Sequence, residues 1–78
     1  MSQGYNGWAN YETWNVALWL QNDEFLYSIM QSCKGSRDPY KELIETLELS
    51  NIVSTGDGVE FTDDRIDQIE IIEMMTEN

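Results

Sequence analysis

A hydrolytic or group-transfer site needs a base, a nucleophile or a metal cage, and this chain is thinly equipped for all three. It has no His, a single Cys at position 33, and no Gly-rich loop spaced to cradle a phosphate. Any chemistry would fall to carboxylates, of which there are 15 against four Lys and Arg. Acid/base work needs two carboxyls facing each other across a cleft, and a domain of 78 residues offers little room for one. Asp57, Glu60, Asp63, Asp64 and Asp67 crowd oxygens of the type calcium uses. They lack the alternating acids, central Gly and closing Glu of a twelve-residue calcium loop. The sequence therefore reads as non-enzymatic, with no metal and no cofactor.

What the carboxylates can do is bind. A net charge of −11 on so small a domain repels itself, and that cost points to a surface where negative charge is used. Phosphates would repel the chain, so neither nucleic acid nor an anionic membrane is expected as a direct partner. A basic protein is. Eight of the acids lie between Asp57 and the C-terminus, offset only by Arg65. On a helix of 3.6 residues per turn, Asp63, Asp67, Glu70, Glu73 and Glu77 fall within an arc of roughly 120°, successive acids roughly 5–6 Å apart along the axis. Such a row can occupy a groove built for the phosphates of a DNA strand. Ile69, Ile71, Ile72 and Met75 lie on the opposite arc and are expected to face the core. Ile66 and Met74 fall beside the acids and are expected as exposed apolar anchors. Near the N-terminus, Tyr11, Trp14 and Leu18 are spaced as core, which leaves Trp8 and Trp19 as the partly exposed indoles suited to an interface.

The elements that must position these groups are mostly helical. Asn6-Gly7 marks a turn in a short extended lead-in over residues 1–9, and Asn10 is placed to cap a helix running to about Asn22. Asp23 caps a second over about 23–33, where Phe25, Leu26, Ile29, Met30 and Cys33 recur at amphipathic spacing. Lys34-Gly35-Ser36-Arg37 forms a loop. Asp38-Pro39 then opens a third helix, about 38–50, with Tyr40, Leu43, Ile44 and Leu47 on one face. Residues 52–61 read either as a minimal hairpin about Gly56-Asp57-Gly58 or as a loop. Thr62 is the expected cap of a last helix over about 63–76.

The fold expected is mainly α, a single domain spanning 1–78 built as a small bundle of about four helices. Three Trp, four Tyr, two Phe and four Met supply the dense core so short a chain needs. The lone Cys33 fits a reducing interior and packs as a small apolar group. No stretch approaches the ~20 apolar residues of a membrane span, and Met1 to Asn6 lack the charge of a signal peptide, so the cytoplasm is expected.

The stretch Tyr5-Asn6-Gly7-Trp8-Ala9-Asn10-Tyr11-Glu12-Thr13-Trp14-Asn15-Val16-Ala17-Leu18-Trp19-Leu20, followed by Asn22-Asp23, resembles a family of small proteins from bacteriophages, notably cyanophages, and from archaeal viruses and plasmids. That family is marked by an Asn-Gly-Trp and Glu-Thr-Trp opening. Gly56-Asp57-Gly58-Val59-Glu60-Phe61 with Asp63 and Asp64 is similar to its second signature. The resemblance covers nearly the whole chain and brings no activity and no functional residue with it. It implies a viral accessory protein in the host cytoplasm. By analogy with other small acidic phage proteins, the expected role is to inhibit or modulate a host nuclease, polymerase or other nucleic-acid-binding protein by presenting carboxylates in place of phosphates. The alternative is an adaptor or regulator of a host metabolic or proteolytic complex, working through a Trp-containing apolar patch, for which a homodimer is an allowed form.

Overall fold

In the computed structural model, which describes residues 5–77, the capping residues open their helices. Asn10 Oδ1 accepts from the Thr13 amide at 2.8 Å and starts α1, Tyr11–Asn22. Asp23 Oδ1 accepts from the amides of Phe25 and Leu26 and starts α2, Glu24–Cys33. Asp38 accepts from the Lys41 amide and, with Pro39 in the first turn, starts α3, Pro39–Leu49. In each case a side-chain oxygen engages an amide that has no partner inside the helix. Asn6 and Gly7 take positive φ values of 52° and 89° and close a two-residue turn that pairs Tyr5 with Trp8. The first four residues of the expected lead-in lie outside the described residues.

The last helix, α4, spans Gln68–Glu77 and begins five residues later than its acids suggest. Asp63 folds its own turn first. Its carboxylate accepts from the Arg65 amide at 2.8 Å, and its carbonyl accepts from the Ile66 amide. The Asp67 amide, which a continuous helix would direct to the Asp63 carbonyl, donates instead to Thr13 Oγ1 at 2.8 Å. Asp67 rather than Thr62 then serves the start of α4, accepting from the Glu70 amide.

The helices form a bundle in which α1 packs on α2 and α4, and α3 on α2 and α4. Val16, Ala17 and Leu20 of α1 meet Leu26, Met30 and Cys33 of α2, Tyr40, Leu43 and Leu47 of α3, and Ile71 and Met75 of α4 in one buried cluster. Cys33 is a free, buried thiol. Phe61 and Val59 enter the same core from residues 50–67, where a lone antiparallel bridge, Ser54 to Glu60, stands in place of a hairpin with paired strands. Among the described residues no helix is long and apolar enough to cross a membrane.

Several apolar positions face otherwise than their spacing implies. Tyr11 is exposed, and Trp14 and Leu18 are half-buried, because α1 turns Thr13, Asn15, Val16 and Ala17 inward. Ile69 is 69% exposed, whereas Ile66 and Met74 are each only 6% exposed. The late start of α4 accounts for Ile66, which precedes the helix and is carried inward by the turn. The expected apolar anchors among the acids are therefore core residues.

Candidate functional site

The two motifs that carry the family resemblance meet in space. Asn15, fully buried on α1, donates from Nδ2 to Asp57 Oδ2 at 2.8 Å and accepts from Thr55 Oγ1 at 2.6 Å. Thr55 Oγ1 in turn accepts from the amides of Asp57 and Val59, so the buried side-chain polar atoms of Asn15 and Thr55 are all engaged. Trp19 Nε1 also donates to Asp57 Oδ2, at 2.9 Å, and its ring lies directly beneath Gly56, where a Cβ would collide with it. The hydrogen bond from Asn15, then that from Trp19, hold the Asp57 carboxyl below the usual carboxylate range. The loop is fixed from its other end by Tyr40, whose hydroxyl donates to the Phe61 carbonyl at 2.6 Å. Burial, reinforced by the Asp63 charge, pushes this phenol well above its usual pKa.

A second strip of the opening motif holds the approach to α4. Asn10 Nδ2 donates to the Arg65 carbonyl, Thr13 Oγ1 accepts from the Asp67 amide, and the Ala9 amide donates to Glu70 Oε1 at 2.8 Å. Arg65 bridges Asp63, through two nitrogens at 2.8 and 3.1 Å, and Glu12 at 3.1 Å. Its guanidinium lowers the Asp63 pKa. These contacts give both motifs a structural task that neither residue type nor spacing discloses.

The expected acidic row is thereby divided. Asp63 is paired with Arg65 in a turn, Asp67 starts α4, and Glu70 is half-buried and accepts from Ala9. Glu70, Glu73 and Glu77 do share one face of α4, within an arc of about 60° and over about 10.5 Å of axis. One DNA strand carries about four phosphates over that length. These three carboxylates, Trp8, Gly7, Gln21 and Met74 line an open groove of about 280 Å³. Trp8 is thus brought beside the acids. Trp19 is not, because from α1 it packs against the Asp57 loop.

A cleft of about 300 Å³ between α3 and the segment 52–62 lies apart from this groove, lined by Ile44, Leu47, Ile52, Val53 and Phe61 with Glu48, Glu60 and Thr62. The end of α3 builds it. Asn51 takes φ of 62°, the Ile52 amide donates to the Leu47 carbonyl at 2.9 Å, and the Asn51 amide donates to the Glu48 carbonyl at 3.0 Å. This left-handed cap brings Ile52 back over Leu47. The signal in the sequence is an Asn just past the last residue of an amphipathic repeat.

The chain belongs to a family of unknown function, DUF7249, whose model matches residues 1–78. No curated protein and no solved structure matches it.

Proposed function

We propose that this family member is a phage-encoded accessory protein that docks on the basic, phosphate-binding surface of a host nucleic-acid-handling protein, such as a defence nuclease or a polymerase, and occludes it. The observation that carries this reading is the groove in which Glu70, Glu73 and Glu77 stand in a row beside Trp8, with no Lys or Arg among the lining residues. Such a groove offers carboxylates to a row of cations, and a half-buried indole to an apolar or guanidinium neighbour. Carboxylates outnumber Lys and Arg by 15 to four, so most of the wider acidic surface has no cation to match it. The ion pairs formed by Arg65 engage only Asp63 and Glu12, against a net charge of −11. Charge of this kind steers a basic partner into contact and repels nucleic acid.

Glu73 and Glu77 are exposed and are the residues to change, since Glu70 also secures the Ala9 amide. Glu73→Gln with Glu77→Gln should weaken inhibition of a basic nuclease or polymerase by roughly 2- to 30-fold, two surface charge contacts' worth. Unchanged inhibition would refute the role of the row. The adaptor reading draws on Trp8 and Trp19, both half-buried, of which Trp19 also donates its N–H to Asp57 and packs its ring beneath Gly56.

A further inference from the structure

We propose that the cleft between α3 and residues 52–62 seats an apolar side chain from a protein segment whose flanking residues are Lys or Arg. The inference rests on the reading that this chain acts by binding a basic protein, but not on phosphate mimicry by α4. The floor of the cleft is apolar and firm: Leu47 and Phe61 belong to the buried core, and Ile44 and Ile52 pack against it. Phe61 is fixed through its backbone, its carbonyl accepting from Tyr40 and its amide donating to the Val53 carbonyl. Ile52 is fixed by the left-handed cap at Asn51. A pre-formed apolar floor costs little ordering when it is filled.

The rim is of a different character. Val53, which lines the cleft, is 62% exposed. An apolar side chain so placed at the edge of a concave surface extends it as a contact surface. Glu48 and Glu60 stand at the edge, and among the described residues neither carboxylate is engaged in a hydrogen bond or an ion pair. No cation lines the cleft. Lys41 on α3 is about 10 Å along the helix from Glu48.

Charge complementarity selects the occupant. A second copy of this chain would bring another −11 to the contact, and an acidic segment would meet Glu48 and Glu60 directly, so the flanks must be basic. The volume selects its size. About 300 Å³ is at the small end of the clefts that enclose whole ligands, which suits one or two anchoring side chains of a peptide.

The test is a titration of the ¹⁵N-labelled full chain with a short synthetic peptide carrying a central Leu-Phe pair between Lys-Lys flanks, run beside the same peptide with Ser-Ser at its centre. Resonances of Ile44, Val53 and Phe61 should shift, and the Ser-Ser peptide should bind about tenfold more weakly. Val53→Arg, at an exposed position, should weaken the Leu-Phe peptide by about tenfold without altering the circular dichroism spectrum. Glu48→Gln with Glu60→Gln should weaken it about fivefold and flatten its salt dependence. Equal binding of the two peptides, shifts confined to Glu73 and Glu77, or no binding at low salt would overturn the proposal. Self-association in sedimentation that Val53→Arg abolishes would also overturn it, by giving the cleft to a second copy. Peptide shifts confined to α4 would leave the acidic-groove reading standing. Cleft binding combined with unchanged inhibition by Glu73→Gln/Glu77→Gln would remove that reading and leave this one.

Discussion

Gly56 lies against the Trp19 ring with no room for a side chain, and its replacement by Ala tests whether the contact between the Asp57 loop and α1 is as rigid as its hydrogen bonds imply. A Cβ at position 56 would lie 2.6 Å from Cζ2 of Trp19 and closer still to Cη2. Carbon atoms rest at about 3.5–4.0 Å, so ring or loop must move by about 1 Å. The ring cannot swing away without loosening the 2.9 Å bond from Nε1 to Asp57. The loop cannot lift without stretching Thr55 to Asn15 at 2.6 Å and the Thr55 amide to the Val59 carbonyl at 2.8 Å. Overpacking of this kind costs about 1–3 kcal/mol, offset by about 0.4–1 kcal/mol from the restricted unfolded chain. A net loss of about 1.5 kcal/mol corresponds to a fall in Tm of roughly 6–12 °C for a domain of this size. Gly35→Ala is the matched control, since nothing lies within 4 Å of its Cβ position, and it should leave Tm unchanged or slightly raised. Thermal melts followed by circular dichroism make the comparison. If Gly56→Ala melts at or above the temperature of Gly35→Ala, the loop is not latched to α1 as described.

Two further outcomes follow from single groups. The Asp57 carboxyl is held below its ordinary value of 3.8 by bonds that exist only in the folded chain, so its ionised form stabilises the fold above the carboxylate range. That stability is lost as pH falls through the lowered folded value. The Trp19 indole N–H resonance should therefore titrate with a midpoint below 3.8, and a midpoint at or above 3.8 would contradict the latch. At Asn51, whose φ is 62°, a β-branched side chain meets the left-handed region at a cost of about 1–2 kcal/mol. Asn51→Val should lower the urea midpoint while Asn51→Gly preserves it, and equal midpoints would show that the cap does not hold the end of α3.

The three helices whose caps are an Asn or Asp ahead of an amphipathic run were legible in the sequence because capping and periodicity are local. Asn10, Asp23 and Asp38 each act within three residues of themselves. The start of α4 was not legible, because it is decided across the chain: Thr13 takes the Asp67 amide and Asn10 takes the Arg65 carbonyl, at separations of 54 and 55 residues. A local pattern that favours acids in a first turn places the helix too early and sets Ile66 among exposed acids. Asn15 likewise reads as one polar residue on an apolar helix until Asp57 and Thr55 are seen to engage its side-chain nitrogen and oxygen. Of the acidic site, Glu70, Glu73 and Glu77 were legible from helical spacing alone, and their meeting with Trp8 depends on the Asn6-Gly7 turn. The cleft floored by Leu47 and Phe61 combines residues from two segments and had no sequence signal beyond Asn51.

The proposed docking of the acidic groove in a site meant for phosphate is tested by the binding of the full chain to a basic nucleic-acid enzyme that it inhibits, across about 50–200 mM salt, with and without duplex DNA. The predicted result is a fall in affinity of about tenfold or more over that range, with chain and DNA displacing one another. An affinity indifferent to salt, with DNA and this chain bound to the enzyme together, would contradict it.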